Sequence, residues 1–90
     1  MKELLYKVYI HARDGVDVWI PAQAQKIVND LFQIISCESF DPRDEDCVFQ
    51  FIPGDIVKVA DRCSPEGQIH MVAKDLIKAA PGQEYNRLVL

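Results

Sequence analysis

Residues 47–60 read Cys47-Val48-Phe49-Gln50-Phe51-Ile52-Pro53-Gly54-Asp55-Ile56-Val57-Lys58-Val59-Ala60. Both arms of this central segment are rich in aromatic and β-branched residues, which favour a pleated, half-buried strand. We therefore predict a pair of β-strands joined at the Pro-Gly-Asp corner. Phe49 and Phe51 fall on one face of the first strand, and Val57 and Val59 share a face of the second.

Two hairpins are predicted upstream of the central segment. Residues 4–12 alternate between apolar and mixed positions, and Asp14-Gly15 separates them from a second alternating run over 16–20. An Asp-Gly pair between apolar runs is a hairpin signal. Residues 21–26 either open a short helix at Pro21 or extend the second strand, and their period of two favours the strand. A second turn is predicted at Asn29-Asp30, before a third strand over 31–37.

Two structures remain open for the C-terminal part of the chain. Residues 68–74 alternate as a strand, whereas Ser64 and Pro65 would suit the start of a helix with an apolar stripe. Gly67 weakens that helix, so we expect a strand to about Lys74 and then a helical turn over 75–80. Residues 86–90 are expected to form either a short closing edge strand or a tail.

These elements predict an all-β fold of five or six antiparallel strands curled into a small barrel, with at most one short C-terminal helical turn. Ninety residues leave room for one core. We assign residues 1–80 to a single β-barrel domain and residues 81–90 to the tail or edge strand. Because no apolar run is long enough to cross a bilayer and the first residues lack the pattern of a signal peptide, we expect a soluble cytoplasmic protein.

The net charge of −4 is concentrated in one segment. Residues 38–46 contain five acidic residues and one arginine, while the rest of the chain holds nine acidic and nine basic residues. Pro42 disfavours a regular strand there, so we predict a loop, called here the acidic loop. Affinity for nucleic acid depends largely on lysine and arginine, and nucleic acid is therefore disfavoured as a partner.

The candidate reactive groups are three cysteines and two histidines: Cys37, Cys47, Cys63, His11 and His70. Widely spaced cysteines without a Cys-x-x-Cys pair indicate reduced thiols in a reducing compartment. Zinc sites normally use short paired spacings, and calcium loops need alternating acids around a glycine. The chain has neither pattern, and it has no nucleophile elbow or phosphate-binding glycine loop. We therefore predict no metal, no cofactor and no catalytic residue.

Tyr9 and Trp19 lie on the parity opposite the aliphatic positions of their strands. If that parity faces solvent, the two rings form an exposed aromatic patch of the kind that marks interaction sites. Alternatively, Trp19 covers an open end of the barrel. An acidic loop beside such a patch would favour a basic protein partner. The partner-binding residues of this hypothesis are Tyr9, Trp19, Asp41, Asp44, Glu45 and Asp46.

One element resembles a known family. Gly54-Asp55-Ile56-Val57-Lys58-Val59, followed by a turn and Gly67-Gln68-Ile69, looks like the Gly-Asp-x-Val-x-Val element of small Src-homology-type (SH3-like) barrels. The KOW modules of translation and transcription proteins are one example of these barrels, and that resemblance implies RNA or ribosomal partners. The wider pattern, with Val18-Trp19-Ile20-Pro21 ahead of the central segment, also resembles small uncharacterised bacterial proteins.

The sequence thus predicts a non-catalytic protein-binding module that contacts its partner through the aromatic patch and the acidic loop. An RNA- or ribosome-associated small barrel is the alternative, and a small thiol- or metal-dependent enzyme is a third. We expect a monomer, or a weak homodimer formed by pairing of exposed strand edges.

Overall fold

The computed structural model describes residues 4–82 and 85–89 of the chain. These residues form an all-β fold with six strands and no helix. The strands are β1 (Leu5–Asp14), β2 (Val16–Val28), β3 (Leu31–Cys37), β4 (Val48–Phe49), β5 (Ile56–Cys63) and β6 (Ile69–Lys78). Within the described ranges, no helix is present that is long and apolar enough to span a membrane.

The strands are hydrogen-bonded in the order β2-β3-β5-β6-β1-β4, and β2 also pairs with β1. All of these pairs are antiparallel except β1 with β6, which run parallel and meet at Tyr9 and Val72. The prediction that every strand is antiparallel is therefore wrong at this contact. Parallel strands need a long connection, and β1 and β6 lie near opposite ends of the chain, so no local turn signal announces their pairing.

The first two hairpins form where the sequence predicts them. β1 and β2 pair along their length on either side of Gly15, which has a left-handed φ of 72°. β2 continues through Pro21 as a strand, which confirms the extended structure predicted for residues 21–26. Asn29 has a φ of 51° at the second turn, because a short polar side chain tolerates this backbone region.

The core is built from the inward-facing positions of the strands. In β1, Val8, Ile10 and Ala12 have no exposed surface, as the alternation predicts. The main buried cluster consists of Val8, Ile10, Ala12, Ala22, Ala24, Phe32, Ile34, Phe49, Phe51, Ile52, Val57, Val59, Ala73 and Ala80. Since successive side chains of a strand point to opposite faces, this core places Tyr9 and His11 on the outer face of the sheet.

The central segment forms two strands that do not pair with each other. β4 has only two residues and pairs with β1, whereas β5 pairs with β3 and β6. The two strands predicted on either side of the Pro-Gly-Asp corner are confirmed, but β4 bonds to a strand from a distant part of the chain, and β5 bonds to β3 and to its hairpin neighbour β6. The predicted faces are confirmed, because Phe49, Phe51, Val57 and Val59 are buried and Lys58 is exposed.

The helical turn predicted over 75–80 is wrong. β6 continues to Lys78, which pairs with Ile56 of β5. Asp75 and Leu76 also pair with β5, and such tertiary pairing overrides a short apolar spacing. The alternative helix over 68–80 is excluded for the same reason. Ser64 and Gly67 belong instead to the turn of the β5–β6 hairpin, where Gly67 has a φ of 85°.

Asp55, at the corner before β5, is a charged residue without exposed surface. Its carboxylate accepts hydrogen bonds from the backbone N–H groups of Ile52 at 2.9 Å and Ala80 at 2.7 Å. It also accepts two from the guanidinium group of Arg87. A buried charge is tolerated when it is paired and hydrogen-bonded, so this carboxylate joins the corner to the end of the chain.

The segment 85–89 packs on the sheet without forming a strand. The N–H of Leu88 donates to the carbonyl of Phe49 at 2.9 Å, and the Tyr85 hydroxyl accepts from the N–H of Phe49 at the same distance. Leu88 is itself buried. Of the two structures predicted for residues 86–90, the described residues 86–89 do not form the edge strand, and Leu90 lies outside the described residues.

Candidate binding groove

A groove with a volume of about 600 Å³ opens on the outer face of the sheet, where β1, β2 and the β5–β6 hairpin meet. Its lining combines aromatic, apolar and cationic side chains. The lining residues are Tyr9, Trp19, Arg62, Cys63, Ser64, Pro65, His70 and Val72. The volume falls in the range of sites that hold small ligands, and an open groove of this size also suits a few residues of a peptide.

The register of the strands explains why these side chains meet. Trp19 is paired with His11 across β1 and β2, and Arg62 is paired with His70 across β5 and β6. Tyr9 is two residues from His11 and is the residue at which β1 contacts β6. Because paired residues point to the same face of a sheet, the two hairpins bring all five side chains to one surface.

Trp19, the only tryptophan of the chain, stands at the groove with 43% of its surface exposed. Its ring stacks on His11, with centroids 4.9 Å and planes 28° apart. The guanidinium carbon of Arg62 lies over the ring, 5.4 Å from its centroid. Each such contact contributes about 0.5–1.5 kcal/mol, so Trp19 is an exposed ring that its neighbours hold in place.

Tyr9 has a similar environment and is half-buried. The His70 ring meets Tyr9 edge-on, with centroids 5.2 Å apart and an interplanar angle of 80°. The Nζ atom of Lys7 lies over the Tyr9 ring, 5.7 Å from its centroid. Each of the two aromatic rings is therefore accompanied by one imidazole and one cation.

A polar cluster of Asp17 and Arg13 lies beside the groove, next to the His11 ring on which Trp19 stacks. The Nε2 atom of His11 lies 3.5 Å from Oδ1 of Asp17 and has no hydrogen-bond partner among the described residues. Arg13 donates from Nε to the same Asp17 oxygen at 2.9 Å. That hydrogen bond, with the positive charge of Arg13, lowers the pKa of Asp17 below its usual 3.8. Asp17 therefore stays ionised beside His11 at neutral pH.

The acidic loop lies apart from the groove lining. Residues 38–46 form no strand, which confirms the predicted loop. Asp41 and Asp44 each accept a backbone hydrogen bond of 2.9 Å from the residue two positions further on, so the loop is built from local turns. Of the predicted partner-binding residues, the structure brings Tyr9 and Trp19 together, whereas Asp41, Asp44, Glu45 and Asp46 do not line the groove.

Sequence reasoning missed Arg62 and His70 as groove residues. The sequence marks His70 only as a candidate reactive or metal-binding group beside the cysteines, and it does not single out Arg62. The sequence signal that identifies them is that they lie on either side of the Ser64–Gly67 turn, at positions that a hairpin pairs with each other. Once 56–63 and 69–78 are recognised as a hairpin, residues 62 and 70 become partners on one face.

Two of the three thiols are partly buried in the described part of the chain. Burial raises the pKa of the Cys37 thiol to about 12, and burial also raises the pKa of Cys47. A thiol that stays protonated is a poor nucleophile and a poor metal ligand. Cys63 is exposed and lines the groove. Over residues 4–82 and 85–89, no group of three histidine, cysteine, aspartate or glutamate side chains could hold a metal ion.

The groove thus offers aromatic surface, a guanidinium, an imidazole and an accessible thiol, an arrangement suited to binding. Comparison of the chain with protein-family models, with curated proteins and with solved structures finds no match.

Proposed function

We propose that this chain is a non-catalytic protein-binding module that holds a segment of a partner protein in the groove between Tyr9 and Trp19. The observation that carries this proposal is the exposed Trp19 ring, which is fixed by His11 and Arg62 beside an open groove. Tryptophan, tyrosine and arginine are the residues that most often dominate the energy of protein interfaces, and this groove contains all three.

Preorganisation supports the same proposal. Ordering a mobile side chain on binding costs about 0.5–1.5 kcal/mol, and the contacts around Trp19 reduce that cost because they exist before a partner arrives. The groove lining also includes Pro65, in the turn between β5 and β6. A partner segment would therefore meet a surface whose apolar parts are already in position.

We further propose that the six strands enclose a small SH3-like barrel. The support is the circuit of pairings, which passes from β1 through β2, β3, β5 and β6 and returns to β1. In this arrangement the groove lies on the outside of the barrel wall. Residues 16–20 of β2 pair with β1 alone, which leaves an edge for a weak homodimer. Three free cysteines support a cytoplasmic location.

The acidic loop is proposed as a second contact, separate from the groove. Asp44, Glu45 and Asp46 are exposed, and charges at the rim of an interface chiefly increase the rate of association with an oppositely charged surface. A basic region of the partner would meet this loop. The acidic loop contributes no residue to the groove lining, so variants of the two contacts can be compared.

An RNA- or ribosome-associated module is the second candidate function. The observation that favours it is Arg62 beside Trp19, because unpaired bases stack on aromatic rings that are flanked by cations. The net charge of −4 opposes it, since phosphate binding needs an excess of lysine and arginine. Sensitivity of the captured complex to ribonuclease distinguishes this candidate from the first.

Affinity capture from the native cell extract tests the proposal with three variants. We expect wild type to retain a protein partner that Trp19→Ala loses and that Ile27→Ala keeps, since Ile27 is a half-exposed apolar residue outside the groove. A combined Asp44→Asn, Glu45→Gln and Asp46→Asn variant should retain the partner more weakly. Equal retention by Trp19→Ala and wild type would refute the groove as the binding site, and loss on ribonuclease treatment would favour the second candidate.

A further inference from the structure

The groove carries a charge opposite to that of the whole chain. Its lining contains Arg62 and His70 and, among the described residues, no carboxylate, and Lys7 lies over the Tyr9 ring beside it. The chain as a whole has a net charge of −4. A cationic, aromatic groove on an acidic protein is a local feature, and a ligand that enters it responds mainly to charges within the screening length of about 8 Å.

Arg62 is available to a ligand. Within the described ranges the ion pairs of lysine and arginine are Arg13 with Asp17, Arg43 with Asp41, Lys58 with Asp30, and Arg87 with Asp55. Arg62 is absent from this set and rests on the Trp19 ring instead. A guanidinium can stack on an aromatic ring and still direct its fork of N–H donors at a carboxylate.

The same contacts disfavour a cationic ligand. An ammonium or guanidinium group is attracted to the face of an aromatic ring, but Lys7 and Arg62 already lie over the two rings of this groove. A second cation would meet like charge at both rings. The groove therefore selects against basic peptides, even though the acidic loop elsewhere on the molecule would attract them.

We infer that the groove binds an extended acidic peptide, with a carboxylate on Arg62 and an apolar side chain against Trp19. This inference rests on the proposed function and names the chemistry of the partner segment. Charge complementarity carries it, because the cations lie beside the aromatic surface and a segment that alternates acidic and apolar residues contacts both. The basic region proposed to meet the acidic loop would belong to a different part of the same partner.

The fluorescence of Trp19 tests the inference directly, because the chain has no other tryptophan. The probes are three capped hexapeptides that alternate leucine with glutamate, with glutamine or with lysine, and an oligouridylate. We expect the glutamate peptide to bind about ten-fold more tightly than the glutamine peptide, and the lysine peptide to bind most weakly. The advantage of glutamate should shrink at high salt.

Two variants assign the preference to Arg62. Arg62→Gln should bind the glutamate and glutamine peptides equally, while Arg43→Gln, which removes the same charge from a residue whose side chain is 90% exposed in the acidic loop, should keep the ten-fold preference. Equal binding of glutamate and glutamine peptides by wild type overturns the inference but leaves a peptide-binding groove. The inference is also overturned if the lysine peptide or the oligouridylate binds more tightly, or if no peptide changes the fluorescence. The proposed function itself is refuted by a different result, namely that Trp19→Ala still retains the captured partner.

Discussion

The carboxylate of Asp55 accepts two hydrogen bonds from the guanidinium of Arg87, 32 residues further along the chain. The Asp55 side chain has no exposed surface, and that of Arg87 retains 22%. This ion pair connects the corner before β5 to the segment 85–89, and the same carboxylate also binds the N–H of Ala80 after β6. One aspartate therefore links the corner and the end of β6 to the segment 85–89, which no strand pairing joins to them.

Replacement of Arg87 by methionine is expected to destabilise the fold by about 3 kcal/mol, because it leaves a buried carboxylate without its counter-ion. The matched control is Arg13→Met, which breaks an ion pair whose side chains are both more than half exposed and should therefore cost much less. Urea unfolding followed by circular dichroism measures both. Equal free energies of unfolding for the two variants would show that the Asp55–Arg87 pair contributes no more than a surface pair.

Gly54→Ala should destabilise the fold more than Gly67→Ala. Both glycines have positive φ, 96° and 85° respectively, so alanine is strained at either position by about 1 kcal/mol or more. A Cβ at Gly54 would also lie 2.9 Å from the Cβ of Ala80, whereas at Gly67 nothing lies within 4 Å. We expect a loss of about 3 kcal/mol for Gly54→Ala and about 1 kcal/mol for Gly67→Ala.

Thermal unfolding of the two glycine variants provides the comparison. A double variant, Gly54→Ala with Ala80→Gly, removes the opposing methyl group and should recover part of the loss. If both single variants lower the melting temperature equally, the contact with Ala80 is unimportant and the cost is conformational alone.

Local signals predicted the parts of this fold that depend on neighbouring residues. The turns at Gly15 and Asn29 and the strand through Pro21 follow from turn chemistry and a period of two, and all three are confirmed. The error over 75–80 has the opposite origin. That segment is a strand because Ile56 and its neighbours in β5 pair with it, and its sequence alone does not contain that partner.

The candidate groove was predictable only in part for the same reason. The sequence alone put Tyr9 and Trp19 on the parity opposite the aliphatic residues, but it left open whether that parity faces solvent or Trp19 covers an open end of the barrel. Arg62 and His70 reach that face because β6 runs beside β1 at Tyr9, a contact between the two ends of the chain. The composition of the acidic loop is evident from the sequence. Its position relative to the two rings is not, because the turns within the loop are local and do not determine where the loop lies in the fold.

The pKa of Asp17 should rise towards 3.8 in the variant Arg13→Gln. In the native fold the hydrogen bond from Arg13 lowers this pKa, so the contribution of the pair to stability is present above pH 3.8 and is lost as the pH falls through the native value. NMR titration of the Asp17 carboxyl carbon measures the midpoint in both proteins. An unchanged midpoint in Arg13→Gln would mean that another group, such as His11, sets the pKa.

The three thiols should react with iodoacetamide at different rates in the native protein. Cys63 is exposed and should react fastest, whereas burial raises the pKa of Cys37 from 9.0 to about 12. This higher pKa lowers the thiolate fraction of Cys37 at neutral pH about a thousand-fold, and the thiolate is the reactive species. Mass spectrometry of the labelled peptides over time gives each rate, with Cys47 expected between the other two.

The control is the same reaction in concentrated urea, where burial is lost and the three rates should converge. Local opening of the sheet would add to the reaction of Cys37, so a destabilising substitution such as Arg87→Met should accelerate Cys37 more than Cys63, which is already exposed. A native Cys37 that reacts as fast as Cys63 would contradict its burial between the end of β3 and the acidic loop. The pKa of the Cys37 thiol is about 12 in the folded protein and 9.0 in the unfolded chain. The contribution of the protonated thiol to folding stability is therefore complete below pH 9.0 and is lost as the pH rises towards about 12.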